Sequence, residues 1–450
     1  MKITSVILAA GQGTRMRSNL PKVLHPVCGR PMVWHALQAA KVVSDETPVM
    51  VVGHGADRVR EAIGEAARFV VQEERLGTGH AVQQAESTLK GKTDLVLVSQ
   101  SDMPLLTGET LMNLVETQKA NSGPMSMLTI IADDPRGFGR IVRADDGGVQ
   151  AIVEEADATE AQKAIRELNV GAYCFDADWL WDALSRIPLS AKGEYYLTDT
   201  VGLAVDAGMH VSAVILEDEI EAIGVNTRIH LAEAETGMRS RVNRAHMLNG
   251  VTLIDPASTY IGMDVKIGKD TVIQPNTFLR GETTIGEGCD IGPNSIITDC
   301  AIGDRCEILS SVLVQATLED DVDMGPFARL RKGAYLSKGV HMGNFGEVKD
   351  SVLREGVKMG HFSYIGNADI GAGTNIGAGT ITCNYDGEKK HHTKIGEDVF
   401  IGSDTMLVAP LELGDRARTG AGAVVTKNVK EDTLVVGMPA RAIRKFTREE

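Results

Sequence analysis

The sequence predicts an α/β domain, a connecting helix and a parallel β-helix, in that order along 450 residues. Three observations carry this expectation. Through residue 226, short β-rich runs alternate with helical patterns, the grammar of a mostly parallel sheet flanked by helices. Residues 228–248, RIHLAEAETGMRSRVNRAHML, read as one helix despite the internal Gly237. From about residue 251 onward, aliphatic side chains recur every six residues, the mark of a repeat architecture. The expected boundaries are therefore 1–226, 227–249 and 250–450. A chain of 450 residues also exceeds what a single hydrophobic core usually serves, which agrees with more than one domain.

In the first segment the strand candidates are VILAA, VMVVGHG, FVVQE, LVLVSQSD and MLTIIAD. Ligands of such sheets collect at the carboxyl ends of strands. The loops LAAGQGTR, QEERLGTGHA and SQSDMP all follow strands and are the first places to look for chemistry. In the last segment the six-residue step links Ile261, Ile267, Ile273, Leu279, Ile285, Ile291 and Ile297, then Leu318, Met324, Leu330, Leu336 and Met342, then Ile395, Ile401, Leu407 and Leu413. Each hexad is one side of a coil that cannot bury its aliphatic residue alone, so neighbouring coils must stack. Gly, Asn or Asp at the corners tolerates the positive φ a sharp corner needs. Steps of five, at Leu353 after Val348 and Ile370 after Ile365, mark irregular corners. One stretch, TCNYDGEKKHHTK, has no aliphatic period and reads as a loop leaving a rigid coil, where a site would be built.

Composition narrows the function. The net charge of −15 argues against a nucleic-acid binder, because phosphate contacts need a basic face. Any anionic ligand must meet local basic clusters instead. Six cysteines without CxxC spacing make a disulfide framework or zinc site a poor expectation, which favours the reducing cytoplasm. No apolar run approaches a membrane span, so no membrane partner is expected.

The loop LAAGQGTRMRSNLPK looks at first like a dinucleotide-binding turn. The third glycine of that fingerprint is replaced by Met16, and no acidic residue stands where a ribose would need one. A Walker loop also fails, because Gly91-Lys92-Thr93 lacks the leading glycine and precedes a strand. What remains is a run of backbone N–H groups followed by Arg15, Arg17 and Lys22, suited to a triphosphate whose charge must be neutralised as pyrophosphate leaves.

The G-x-G-T-R…P-K arrangement resembles that of sugar-1-phosphate nucleotidyltransferases. With QEERLGTGHA, GFGRI, IVEEADA and GEYYLTD in order, and the hexads behind them, residues 3 to 446 resemble the bifunctional N-acetylglucosamine-1-phosphate uridyltransferase and glucosamine-1-phosphate acetyltransferase family. The resemblance implies a Rossmann-like nucleotidyltransferase domain, a linker helix and a left-handed parallel β-helix of hexapeptide repeats. It implies that Leu8, Ala9, Ala10 and Gly11 contact the nucleotide, with Arg15 and Lys22 at the phosphates. Gln72, Gly77 and Thr78 would read uracil, while Gly139, Glu154 and Asn169 would hold the acetylated sugar. Asp102 and Asn226 would bind Mg²⁺, a hard cation that shares phosphates with a few oxygen ligands. Without the resemblance, the competing reading of Asp102 is a loop carboxylate capping local backbone, the less favoured of the two. Two departures stand out. Gln100-Ser101-Asp102 occupies the place of a common Tyr-Gly-Asp, and Gln12 replaces a basic residue often found between the two glycines.

A purely structural solenoid would need little beyond aliphatics and corners, yet this one carries KGVHMGNFGEVKD, MGHFSYIGN and CNYDGEKKHH. A lone histidine is more often structural than catalytic; the resemblance makes His361 a general base that takes a proton as an amine attacks the thioester of acetyl-CoA. It further implies that Arg331 and Lys349 grip the sugar phosphate and that Tyr364, Asn375, Asn384 and Tyr385 orient the sugar. Ala378, Ser403 and Ala421, with Asn384 and Tyr385, would line the acetyl-CoA groove, although coil packing explains the small residues equally well. Lys389, Lys390, His391 and His392 face either CoA phosphates or solvent. Met438 stands where some relatives have an arginine, leaving Arg441 or Arg444 as substitutes. Members of this class resemble trimers with sites between coils, so a homotrimer is expected, with the 383–394 loop serving its own or a neighbouring subunit. The competing readings are a nucleotidyltransferase whose solenoid only assembles or regulates, and a solenoid that docks protein partners; aromatics at 4% of the chain disfavour the latter.

Overall fold

The computed structural model describes residues 1–145, 147–155 and 158–445. It forms two compact units, Met1–Met238 and Arg239–Glu450. The helix Arg228–Leu248, expected from its sequence, contains the boundary.

The first unit is built on one twisted sheet whose main path runs Val211–Ile215, Met125–Ile131, Glu167–Asp176, Leu95–Gln100, Ile3–Ala9, Val49–Val52 and Arg68–Val71. The four strands from Leu95–Gln100 to Arg68–Val71 are mutually parallel. Both faces of these strands are covered, so ITSVILA and VMVV are buried throughout, as parallel strands with helices on both sides must be. Met32–Val43 and Gly108–Ala120 contribute to the core on one side, while Thr78–Gln83, Ala177–Leu184 and Asp199–Asp206 contribute to another cluster. The expected mostly parallel sheet is interrupted by Glu167–Asp176, which pairs antiparallel to both neighbours. Its register shifts between Asn169 and Tyr173, around Gly171 at φ 84°, and this bulge turns Asn169 toward the strand ends where a cavity lies.

The second unit is the left-handed parallel β-helix, with three sheets of 12, 10 and 9 short strands. Ile261 pairs with Leu279 and Leu279 with Ile297 on one sheet, while Ile273 pairs with Ile291 and Ile291 with Ile308 on another. Three hexads therefore make one turn, and a step of five shortens it by one residue without moving any aliphatic side chain out of its column. Ile261, Ile273, Leu279, Ile285, Ile291 and Ile297 are all buried in one continuous core; Ile267, in the first coils, is only half-buried. Corner residues Asp270, Asn276, Asn294, Asp299, Asn367, Asp398 and Asp404 have φ between 50° and 61°, the left-handed region their short polar side chains tolerate. Buried threonines beside the corners satisfy themselves on carbonyls, with Thr271 Oγ1 donating to Gly286 O at 2.8 Å and Thr283 Oγ1 to Arg280 O at 2.6 Å.

Because each aliphatic residue is sandwiched by the coils above and below, Ile291→Ala should lower stability by about 2–5 kcal/mol in urea unfolding followed by circular dichroism. Ile267→Ala, at a half-buried position, should lower it by less; equal losses would contradict stacking as the source of the core's stability.

Candidate functional site

Two sets of polar residues stand out, one in each unit. In the first, the strand Ile3–Ala9 ends against a glycine loop and a cavity of about 550 Å³. Of the residues expected to meet nucleotide, Leu8, Ala10, Gly11, Lys22, Gln72, Gly77, Thr78, Gln100, Ser101 and Asp102 line it. Gly13, at φ 65°, lets the loop close onto Lys22: a Cβ there would stand 2.5 Å from the lysine Cβ. The Lys22 ammonium is thereby delivered between two oxygens. It pairs with Asp102 Oδ2 and donates to Asn226 Oδ1 at 3.1 Å. The loops bearing those oxygens are joined by Val225 N–H donating to Asp102 O at 2.8 Å. Two hard oxygen donors thus converge on one cation, the donor set a small divalent ion would use together with phosphate oxygens.

Gln72 is buried, and its amide nitrogen donates to Gly77 O at 3.0 Å, with His80 Nδ1 at 3.1 Å. A carbonyl can only accept, so the amide is oriented with its nitrogen toward Gly77, which leaves Oε1 as the acceptor offered to a ligand. Ser101 serves a structural purpose. Its hydroxyl donates to Leu8 O at 2.6 Å and its N–H to the same oxygen at 3.1 Å, tying two strand ends together.

A second cavity of about 440 Å³ adjoins the first, sharing Thr78, Gln100 and Tyr196. Glu154 and Asn169 line it as expected. Gly139 sits behind, its carbonyl accepting from Asn169 N–H at 2.8 Å. The neighbouring Glu155 also lines the cavity and is paired with the buried Arg140; Ala156 and Asp157 of the IVEEADA motif lie outside the described residues. GEYYLTD docks on the LGTGH loop through Tyr195 N–H to Leu76 O at 2.7 Å and Leu197 N–H to Thr78 Oγ1 at 3.0 Å. That docking brings Glu194, Tyr196 and Thr198 to the cavity walls. The motif was visible in the sequence, but its pairing with the distant LGTGH loop was not. Arg15 and Ala9 are absent from the lining of either cavity, whereas Gln12 and Arg75, to which no role was given, line the first.

In the second unit the expected residues fall on two edges of one sheet. His361 is exposed at the corner before the strand Ser363–Gly366, with Ala378, Ser403 and Ala421 at the equivalent corner of the following coils. The opposite corner carries Arg331, Lys349, Asn384 and Tyr385. Five residues from His361 to Gly366 span roughly 16 Å when extended, so one chain holds these groups apart. Tyr364 lies on the strand between, and Asn375 sits on a different sheet, paired with Lys358 and Phe400.

At the second corner the side chains converge. Asn384 is buried and donates to Asn367 Oδ1 at 2.7 Å. Gly366 opens the space it needs, since a Cβ there would lie 2.4 Å from the Tyr364 hydroxyl and 2.8 Å from Asn384 Nδ2. Arg331 is held by Glu347 Oε1 at 2.9 Å. The loop after Asn384 is ordered by Asp386, which accepts from the Glu388 and Lys389 N–H groups at 2.8 Å and meets His391 Nε2 at 2.6 Å. The His391 contact, followed by these N–H groups, holds the Asp386 carboxyl well below its usual range. This loop folds Lys390 against Lys349, and the nearby Lys390 ammonium, with further repulsion from Arg331, lowers the Lys349 pKa. Three basic side chains thus gather at one corner, Arg331 paired with Glu347 and the two lysines beside it. Lys390 was expected to face CoA or solvent; its meeting with Lys349 depends on a loop whose path the hexad count does not give. Met438, exposed, follows the strand Thr433–Gly437, which pairs with Ala440–Lys445.

A cavity at the strand ends of an α/β unit, followed by a β-helix of hexads, is the architecture of a nucleotidyltransferase joined to a hexapeptide acyltransferase. Comparison with known proteins agrees with that class: residues 5–168 match the MobA-like NTP transferase domain, and residues 264–299 and 392–427 match the bacterial transferase hexapeptide repeats. The chain is 49% identical to the bifunctional protein GlmU of Heliobacterium modesticaldum, over 97% of this chain and 95% of that one. It is 47% identical to GlmU of a Geobacillus strain, over 99% and 97%, and 46% identical to GlmU of Streptococcus agalactiae serotype V, over 96% and 95%. The chain belongs to the GlmU family of bifunctional transferases.

If Lys390 depresses Lys349 by repulsion, Lys390→Ala should return the Lys349 pKa toward the ordinary lysine value. Titration of ¹⁵N-labelled lysine side chains by NMR measures this; a Lys349 pKa that falls further would contradict the placement of the loop.

Proposed function

We propose that this chain makes a UDP-activated N-acetylated amino sugar by two reactions. The second unit transfers the acetyl group of acetyl-CoA to the amine of glucosamine-1-phosphate, and the first joins the product to UTP with release of pyrophosphate. The observation that carries this reading is the coexistence in one chain of oxygen donors converging on a cation beside a glycine loop and a cluster of basic side chains on a β-helix corner. A solenoid used only for assembly has no need of the latter.

In the first unit, Gln72 Oε1 accepts from the uracil imide N–H, which cytosine, bearing an acceptor at that position, cannot supply. Glu154, Asn169 and the Gly139 backbone enclose the acetylated sugar. A phosphate oxygen of the sugar attacks the α-phosphorus of UTP in line, and pyrophosphate departs along Gly11 to Gly13, whose N–H groups approach it. Asp102 and Asn226 would hold Mg²⁺, which would supply charge neutralisation at the phosphates. The Lys22 ammonium, beside those two oxygens, faces the same phosphates.

In the second unit, Arg331, Lys349 and Lys390 hold the phosphate of glucosamine-1-phosphate, and Tyr364, Asn375, Asn384 and Tyr385 orient the sugar. Its nitrogen attacks the thioester carbonyl, His361 removes the proton, and CoA leaves as the thiolate, which takes up a proton. Ala378, Ser403 and Ala421 admit the CoA chain beside His361. His361 and the anion site occupy opposite edges of one face, so a working site pairs the His361 edge of one subunit with the phosphate-binding edge of another in a homotrimer.

Two assays separate the activities. His361→Ala should reduce CoA release by at least about 10²-fold and leave pyrophosphate release intact, and Asp102→Ala should do the reverse. Loss of both activities from either change would contradict independent sites. Subunit exchange tests the shared site: mixing inactive His361→Ala chains with inactive Lys349→Ala chains, followed by reassembly, should restore CoA release, because some interfaces then join two intact edges. No recovery in verified mixed oligomers would place the complete site within one chain.

A further inference from the structure

The nucleotide cavity is short of positive charge. Its lining contains Lys22 and Arg75 against Asp102 and Glu194, which sum to zero, while a nucleoside triphosphate brings up to four negative charges. Lys22 is already engaged with Asp102 and Asn226. Arg15 lies on the turn Thr14–Met16 and does not line the cavity. Gln12, between the two loop glycines, contributes no charge.

Arg75 stands differently from the other cation. It reaches from the QEERLGTGHA loop to the glycine loop, where its Nη1 donates to Gln12 Oε1 at 2.7 Å. No carboxylate among the described residues forms an ion pair with it. One of five guanidinium donors is thereby used for orientation, and the rest remain available on an uncompensated charge at the cavity wall. We infer that Arg75, aimed by Gln12, is a triphosphate-binding residue of the uridylyl-transfer site: the positive charge absent from position 12 enters from position 75, and Gln12 serves as its acceptor. This rests on the nucleotidyltransferase reading above. The chemistry accounts for the pair as a unit. A glutamine accepts from an arginine and orients it, whereas a lysine at position 12 would repel it.

The test is isothermal titration of UTP and of UMP, both with Mg²⁺, into the full-length chain. Arg75→Gln should weaken UTP binding by about tenfold, in line with the loss of one charge-assisted contact, and change UMP binding by less than about twofold. Gln12→Lys in the Arg75→Gln background should recover most of the UTP affinity by moving the charge to the glycine loop. Unchanged UTP affinity in Arg75→Gln would overturn the inference, as would equal losses for UTP and UMP, which would mean a disturbed loop. Failure of Gln12→Lys to rescue would also count against it. If the unaltered chain bound neither nucleotide, the nucleotidyltransferase reading itself would fall, which keeps the two failures apart.

Discussion

An acidic chain that handles phosphates must hold basic side chains in place among its own carboxylates, and both sites are organised around that demand. Like charges gathered in water repel only weakly, but they must still be held by something covalent or hydrogen-bonded. In the β-helix the holding element is rigid: Lys349 ends a strand in register with its neighbours, Arg331 is clamped by Glu347, and Asp386 folds the loop that brings Lys390 in. In the α/β unit the holding element is a turn, in which Gly13 gives the room that places Lys22.

The two sites meet the demand in opposite ways. Lys22 is paired with the Asp102 carboxylate, so neither charge stands alone at the cavity wall. Lys349 stands instead beside other cations, and repulsion from Lys390 and Arg331 outweighs the attraction of Asp350.

Much of the β-helix could be read from the sequence because its stabilising contact is periodic. A coil's aliphatic residue is buried by the residue three hexads away, so the spacing that gives the fold also gives the contact, as with Ile273 and Ile291. The linker helix was visible for a similar reason. In the α/β unit the glycine loop and the sequence around Asp102 announced themselves, but the antiparallel strand Glu167–Asp176 did not, since ELNVGAYCFD is placed by its partners and by a bulge at Gly171. The contacts of Arg75 and Lys390 are not legible in the sequence for one physical reason: each meets a residue far away in sequence or across an irregular loop, and no periodicity records such a meeting.

The Gln100-Ser101 departure shows how such a substitution is absorbed. Ser101 turns inward and joins Leu8 twice, so the strand end that carries Asp102 is fixed by hydrogen bonds to a neighbouring strand. Gln100 lies between the nucleotide and sugar cavities and lines both. The position of Asp102 therefore depends on the backbone of the sheet, while the wall between the two cavities is set by an amide side chain. Changes at position 100 should act on how the sugar is seated, and changes at position 101 on whether Asp102 is held at all. Neighbouring residues in one motif thus answer to different parts of the chemistry.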